Sequence, residues 1–205
     1  MIESDEQKRI SEYYDHLVDQ YGYDPRACDA STRESLRVRY RVLSDVMDLT
    51  NKSVLEVGCG FGDLGAYLKR KYKRVHYTGI DISSRMIEEG RKRYPKVPLY
   101  HLNVLDMNPH QQFDAVLAQG VFYLLKDNAE SRMWRLIEKM FSLARQAVAF
   151  STLSAWASRK NSSEFYADPI RVAEWCRRLT PFLVFRHDYH PGDFSVYLYK
   201  EGRFR

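Results

Sequence analysis

Val54-Leu55-Glu56-Val57-Gly58-Cys59-Gly60-Phe61-Gly62-Asp63 is the stretch on which the fold turns. Ser53 to Val57 is a short, largely apolar run closed by glycines, which predicts a buried strand. A helical pattern from Phe61 to Tyr72 follows, so the glycines form a strand-to-helix turn. Glycine permits unusual φ and lets a ligand approach the backbone closely. The helix start is expected to add free N–H donors. Val75 to Ile80 reads as the next strand, ending at Asp81, where a carboxylate can accept two ribose hydroxyls. The dinucleotide fingerprint is G-x-G-x-x-G. Here the spacing is G-x-G-x-G, with Glu56 inside the strand before it. A carboxylate directed at the phosphate position would repel a pyrophosphate and attract an ammonium group. The stretch therefore points to a cationic adenosine ligand rather than to NAD or FAD.

Working outward, residues 6–20 place Ile10, Tyr13, Tyr14, Leu17 and Val18 at helical spacing, and Tyr21-Gly22-Tyr23-Asp24-Pro25 breaks the pattern. A second helix is predicted from Arg33 to Leu49. Beyond Asp81, Ser83 can cap a helix to about Arg93. Leu99–Leu102 and Phe113–Ala118 read as strands. Asp127 with Glu130 resembles a capping box opening a helix to Ala144. Ala147–Phe150 is a strand. Asp168-Pro169 starts a helix to Leu179. Phe182–Arg186 and Phe194–Tyr199 form a closing hairpin around Pro191-Gly192-Asp193. Alternating strands and helices predict an α/β domain whose parallel sheet is covered on both faces.

The 205 residues fit one domain, with residues 1–50 as an N-terminal helical cap on a core of 51–205. The opening Met-Ile-Glu-Ser-Asp-Glu is acidic, unlike a secretory signal, and no apolar run reaches membrane-span length. Three widely spaced cysteines, Cys28, Cys59 and Cys176, fit reduced thiols, a cytoplasmic location and no metal site. The net charge of +5 raises nucleic acid as a partner. The basic clusters, however, fall at predicted helix C-termini: 69–74, Arg91-Lys92-Arg93, and Arg177-Arg178. The helix dipole favours cations there without a polyanion. What remains of the charge is a modest hint of an anionic acceptor.

Glu56-Val57-Gly58-Cys59-Gly60-Phe61-Gly62 with Asp81 resembles the first two motifs of class I S-adenosylmethionine-dependent methyltransferases. The element order from about residue 33 onward is similar to theirs. The resemblance implies a Rossmann-like three-layer sandwich, a seven-stranded mostly parallel sheet whose last strand is antiparallel, and S-adenosylmethionine as cofactor. It implies that Glu56 and the backbone at Gly58 and Gly60, with Cys59, Gly62 and Asp63 in the same loop, hold the methionine end. Asp81 then holds the ribose, and Ile82 and Met86 flank the adenine. Asn103, with Val104, stands where the family usually has an aspartate near the adenine amino group. Gln119 and Gly120 fall beside the methionine and the methyl-transfer point.

The N-terminal region is similar to the cap of small-molecule methyltransferases, with Tyr14 and Tyr21 at positions that close over the cofactor. Arg39 is expected to pair with the methionine carboxylate. Phe122, Tyr123, Trp156 and Tyr166 are candidate acceptor-pocket walls, with Phe165 beside them. His187 is the candidate base, with Asp188 or Tyr189 in support and Tyr14 as a further catalytic candidate. The expected function is methyl transfer to O, N or S of a small molecule by a monomer or homodimer. The alternatives are an RNA or protein methyltransferase, or a non-methylating cofactor-binding protein. Ala118-Gln119-Gly120-Val121 lacks the Asn/Asp-Pro-Pro-aromatic motif used on planar amino nitrogens, which disfavours nucleic-acid bases as acceptors.

Overall fold

A computed structural model describes residues 2–28 and 32–202; Met1, 29–31 and 203–205 lie outside the described residues. The strands are β1 (Ser53–Val57), β2 (His76–Asp81), β3 (Leu99–His101), β4 (Phe113–Gln119), β5 (Ala144–Leu153), β6 (Leu183–Arg186) and β7 (Asp193–Tyr199). They form a seven-stranded sheet in the order β3-β2-β1-β4-β5-β7-β6. The pairings from β3 through β5 are parallel, and β7 is antiparallel to both β5 and β6. The helices are α1 (Ile2–Tyr21), α2 (Arg33–Ser44), α3 (Asp63–Lys71), α4 (Ser84–Arg93), α5 (Ala129–Leu143) and α6 (Pro169–Leu179).

Strand alternation builds two cores. Val148 and Phe150 of β5 join Val196 and Leu198 of β7 on one face, under α5 and α6. Met133, Ile137 and Met140 sit at helical spacing on α5 and are fully buried there. Ala147 and Ala149 join Tyr197 and Tyr199 on the other face, with Val42 and Leu43 of α2, Leu64 and Leu68 of α3, and Ile87 of α4. So α2 is a layer of the sandwich, whereas α1 packs against α4 at the rim. Lys69–Lys71, Arg91–Arg93 and Arg177–Arg178 lie in the last turns of α3, α4 and α6, as expected. Among the described residues no helix is long and apolar enough to cross a membrane.

The strand expected at Ala147–Phe150 is longer, Ala144–Leu153, and two helix ends differ from the sequence expectation for a visible reason. The second helix stops at Ser44 rather than Leu49. Tyrosine hydroxyls take carbonyls at its end and in the turn beyond: Tyr197 donates to Val42, Tyr72 to Ser44 at 2.8 Å, and Tyr199 to Val46 at 3.0 Å. Val46 and Leu49 stay fully buried in that turn, so the apolar period outlasts the helix. At α5 the expected capping box does not form. Asn128 is the N-cap in a left-handed conformation, and Glu130 instead pairs with Arg171 of α6 at 2.7 Å.

The α6 cap behaves as its sequence predicts. Asp168 accepts from the Ile170 and Arg171 N–H groups at 2.8 and 3.1 Å, with proline at the first helical position. Asp168→Ala should cost about 1 kcal/mol in urea unfolding with an unchanged slope. A loss under about 0.3 kcal/mol would contradict the capping role.

Candidate active site

The strand order reverses between β1 and β4, and the C-terminal strand ends there open onto a cavity of about 510 Å³. The N–H groups of Gly58, Cys59, Gly60 and Gly62 are bonded within the protein. Gly58 and Cys59 donate to the Ile80 carbonyl at 2.9 and 3.0 Å. Gly60 donates to Asp81 Oδ2 at 2.8 Å, and Gly62 to the Cys59 carbonyl at 2.8 Å. These N–H groups tie the loop to itself and to β2. What the loop region presents instead is carboxylate, from Glu56, Asp63 and Asp81. A pyrophosphate would meet acceptors there; a cation meets partners.

Each acid is held differently. Glu56, at the buried end of β1, accepts from the Tyr77 hydroxyl. Burial pushes its carboxyl well above the usual carboxylate range, and the Tyr77 bond opposes this only in part. Asp81 is also raised by burial, against the Ser83 and Gly60 N–H groups, which favour its ionised form; Ser83 N–H lies 2.9 Å away. Asp63 accepts from the Tyr23 and Tyr94 hydroxyls, both at 2.6 Å. Burial raises the Cys28 and Cys59 thiols, so neither is a thiolate at neutral pH.

Helix α1 roofs the cavity through polar contacts to the loops after β2, β3 and β4. Ser11 donates to the Ile82 carbonyl at 2.9 Å, and Ser83 to Asp15 at 2.5 Å. Asn103 donates to Gln7 at 2.8 Å, and the Tyr14 and Tyr123 hydroxyls are 2.6 Å apart. Glu6 takes Arg132 at 2.7 Å and the Lys126 N–H at 2.9 Å.

The cavity gathers most of the residues expected to meet a cofactor: Tyr14, Arg39, Glu56, Gly58, Cys59, Gly60, Asp63, Asp81, Ile82, Met86, Asn103, Val104, Gln119 and Gly120 line it, as do Phe122 and Tyr123. Arg39, expected to face a carboxylate of the ligand, is committed to Asp193, with two nitrogens at 2.6 and 2.5 Å. Asn103 Oδ1 accepts from the Leu105 N–H at 3.0 Å, capping a short turn. Tyr21 lies outside the wall, under Arg26 at 4.6 Å from its ring centroid, within the cluster that packs on Phe61 and Met86. Gly62 caps α3 and does not line the cavity.

The expected base does not reach it either. His187 Nε2 lies 2.9 Å from Ser154 Oγ, and its ring lies nearly parallel to the stacked pair Phe185 and Phe194, 6.4 and 6.2 Å from them, with Trp156 tilted beside it. Asp188 pairs with Arg186 at 2.6 Å, and Tyr189 shares a hydrogen bond with Ser195 at 2.8 Å. Tyr166 donates to Glu164, and Trp156 is exposed. The hairpin turns these side chains off the cavity edge, which instead receives His190 and Asp193 from the same run. Thr152 of β5 joins them, as do Glu6, Arg132 and Tyr40 from helices read only as amphipathic. Six carboxylates, Glu6, Glu56, Asp63, Asp81, Glu164 and Asp193, thus face two guanidiniums, Arg39 and Arg132.

Comparison with known proteins agrees with this geometry. Residues 54–146 match the sequence profile of a family described as a methyltransferase domain. In sequence and fold the chain is similar to class I S-adenosylmethionine-dependent methyltransferases. Rv1506c of Mycobacterium tuberculosis, a protein named in the methyltransferase class, is 26% identical over 161 residues, covering 72% of this chain and 93% of that one. The fatty-acid O-methyltransferase of Mycolicibacterium smegmatis is 36% identical over 92 residues, 43% of this chain; the match spans about a third, 33%, of that enzyme. The fold is shared with magnesium protoporphyrin IX methyltransferase of Synechocystis bound to S-adenosylhomocysteine, at TM-score 0.70 and 12% identity over 96% of this chain and 100% of that one.

Gly58 is the tightest point of the loop. Its φ is +70°, and a Cβ there would lie 2.3 Å from Val121 Cγ1. Gly58→Ala should lower stability by roughly 1–3 kcal/mol and weaken S-adenosylhomocysteine binding. Adding Val121→Ala should recover only part of the loss, because the backbone strain remains. Complete recovery in calorimetric titration and thermal melts would show that the contact, not φ, was the constraint.

Proposed function

We propose that this enzyme transfers the methyl group of S-adenosylmethionine to an oxygen, nitrogen or sulfur of a small-molecule acceptor. The observation that carries the reading is the roofed, acid-walled cavity at the strand switch point. Its volume, about 510 Å³, lies in the range of small-ligand sites, roughly 300–1,000 Å³. The basic clusters lie in the last turns of α3, α4 and α6, whereas the cavity wall is acidic, so a polyanion is not the acceptor the site fits.

In this reading Glu56 receives the cofactor's ammonium group. The cation replaces solvent around a carboxylate whose ionised form burial otherwise disfavours. Asp81 accepts the ribose hydroxyls with the lone pairs that Gly60 and Ser83 leave free. Ile82 and Met86 flank the adenine, and Asn103 with Val104 closes its edge. Gln119 and Gly120 lie along the methionine, and Tyr14 with Tyr123 stands between roof and floor. When bound, the sulfonium supplies the electrophile. The protein supplies an enclosed space, an in-line approach and exclusion of water.

Methyl-labelled cofactor mixed with enzyme and a cell extract should label the low-molecular-weight fraction. Label in RNA or protein, or in no fraction, would contradict the proposal. Glu56→Gln should weaken S-adenosylhomocysteine binding by about tenfold or more, the scale of a hydrogen bond to a charged group. Retained affinity would remove Glu56 from the cofactor site.

A further inference from the structure

At the β5–β7 end of the cavity the wall carries two buried polar atoms without a hydrogen-bond partner in the protein: Asp193 Oδ1 and Thr152 Oγ1. They are also the buried unpartnered side-chain polar atoms found among the described residues. Asp193 is 3% exposed and Thr152 5%. Asp193 faces Leu153 and Thr152 faces Phe194, so strand alternation turns Asp193 to the α2 face of the sheet, beside Arg39, and Thr152 to the opposite face. Asp193 Oδ2 is taken by Arg39. A buried polar atom left unpaired is costly, so such atoms mark places where a ligand completes the bonding.

The neighbouring histidine does not fill the gap. His190 Nδ1 lies 3.7 Å from Asp193 Oδ1, too far for a hydrogen bond. That nitrogen accepts the Gly192 N–H at 3.1 Å. In the neutral ring this assigns the proton to Nε2 and leaves Nδ1 nothing to donate to Asp193. Oδ1 is thus an acceptor in need of a donor.

The charges of the wall decide what kind of molecule supplies it. Arg39 is bound to Asp193, and Arg132 to Glu6. A carboxylate acceptor, of the kind named for the fatty-acid relative, would find both lining guanidiniums already paired with acids of the wall.

We propose that the methyl acceptor is a hydroxyl or amine that donates its O–H or N–H to Asp193 Oδ1. The inference rests on methyl transfer as the reaction. As the acceptor's oxygen or nitrogen bonds to the methyl carbon, the carbon–sulfur bond breaks and its electron pair stays on sulfur. The acceptor's proton passes to Asp193 Oδ1. The hint of an anionic acceptor drawn from net charge is replaced by a site for a hydrogen-bond donor.

Two measurements test this. In the first, labelled product from extract is treated with mild alkali. Methyl ethers and N-methylamines keep the label, whereas methyl esters release it as methanol. Alkali-stable label supports the inference, and release overturns it. If no label appears at all, methyl transfer fails as the reaction, and the second measurement decides the site alone.

In the second, benzyl alcohol, benzylamine and benzoate are titrated by ligand-observed NMR against wild type saturated with S-adenosylhomocysteine. The alcohol or the amine should bind at least fivefold more tightly than benzoate. Asp193→Asn should erase that preference. Preferred binding of benzoate, or failure of both donor probes to bind, overturns the inference. So does a loss of S-adenosylhomocysteine affinity in Asp193→Asn as large as the loss of probe affinity, which would assign Asp193 to the cofactor.

Discussion

Two buried carboxylates at the ends of adjacent strands govern this molecule. Glu56 ends in the core at β1, Asp81 at β2, and neither has a cation beside it among the described hydrogen bonds and ion pairs. Taking a carboxylate out of water is expensive unless hydrogen bonds or charge compensate. The loop between β1 and α3 is shaped by that compensation. Gly60 and Ser83 turn their N–H groups to Asp81, and Tyr77 reaches across β2 to Glu56. Tyr77 fits because Gly65 faces it: a Cβ there would lie 2.5 Å from the ring. The glycines thus serve the acids, and the acids serve a cationic ligand.

The rest of the site follows from where the strands end. The parallel strands deliver their C-termini to one edge, and β7, running the other way, brings Asp193 to that same edge. Helix α1 closes the space above with serine, tyrosine, asparagine and glutamate contacts, and with a small apolar cluster of Val18, Phe61 and Met86. Individual hydrogen bonds of this kind contribute only about 0.5–1.5 kcal/mol each. Several acting along one helix fix where it lies, and so fix the shape of the cavity.

What could be read from sequence follows the range of each interaction. The strand at 53–57, the cap at Asp168 and the carboxylate at Asp81 are local patterns, and the structure keeps them. The order of elements along the chain likewise carries through to the sheet. The end of α2 was not legible, because it depends on Tyr197 and Tyr199, about 150 residues away. Nor was the bond of Arg39 to Asp193, or the stacking of His187 on Phe194, since each needs the β7 register. In the run from Arg186 to His190 the sequence offers two histidines with no period to choose between them; the hairpin geometry selects His190 for the cavity. Nor does the sequence show where the loop's N–H groups go: the fold spends those of Gly58 and Gly60 on β2 and that of Gly62 on Cys59.

Burial holds the Glu56 carboxyl well above the usual carboxylate range until a cation arrives. Its folded pKa is raised above the unfolded value. Its contribution to the free protein's stability is therefore fully present below the unfolded pKa and lost as pH rises through the folded one. An ammonium partner favours the ionised form, so binding should lower the pKa, release a proton and tighten as pH rises through the free-enzyme value. Titration of the ¹³C-labelled Glu56 carboxyl by NMR, with and without S-adenosylhomocysteine, measures this directly. The expected result is a free-enzyme midpoint well above the usual carboxylate range that drops on saturation. An ordinary midpoint in the free enzyme, or one that the ligand does not move, would contradict it.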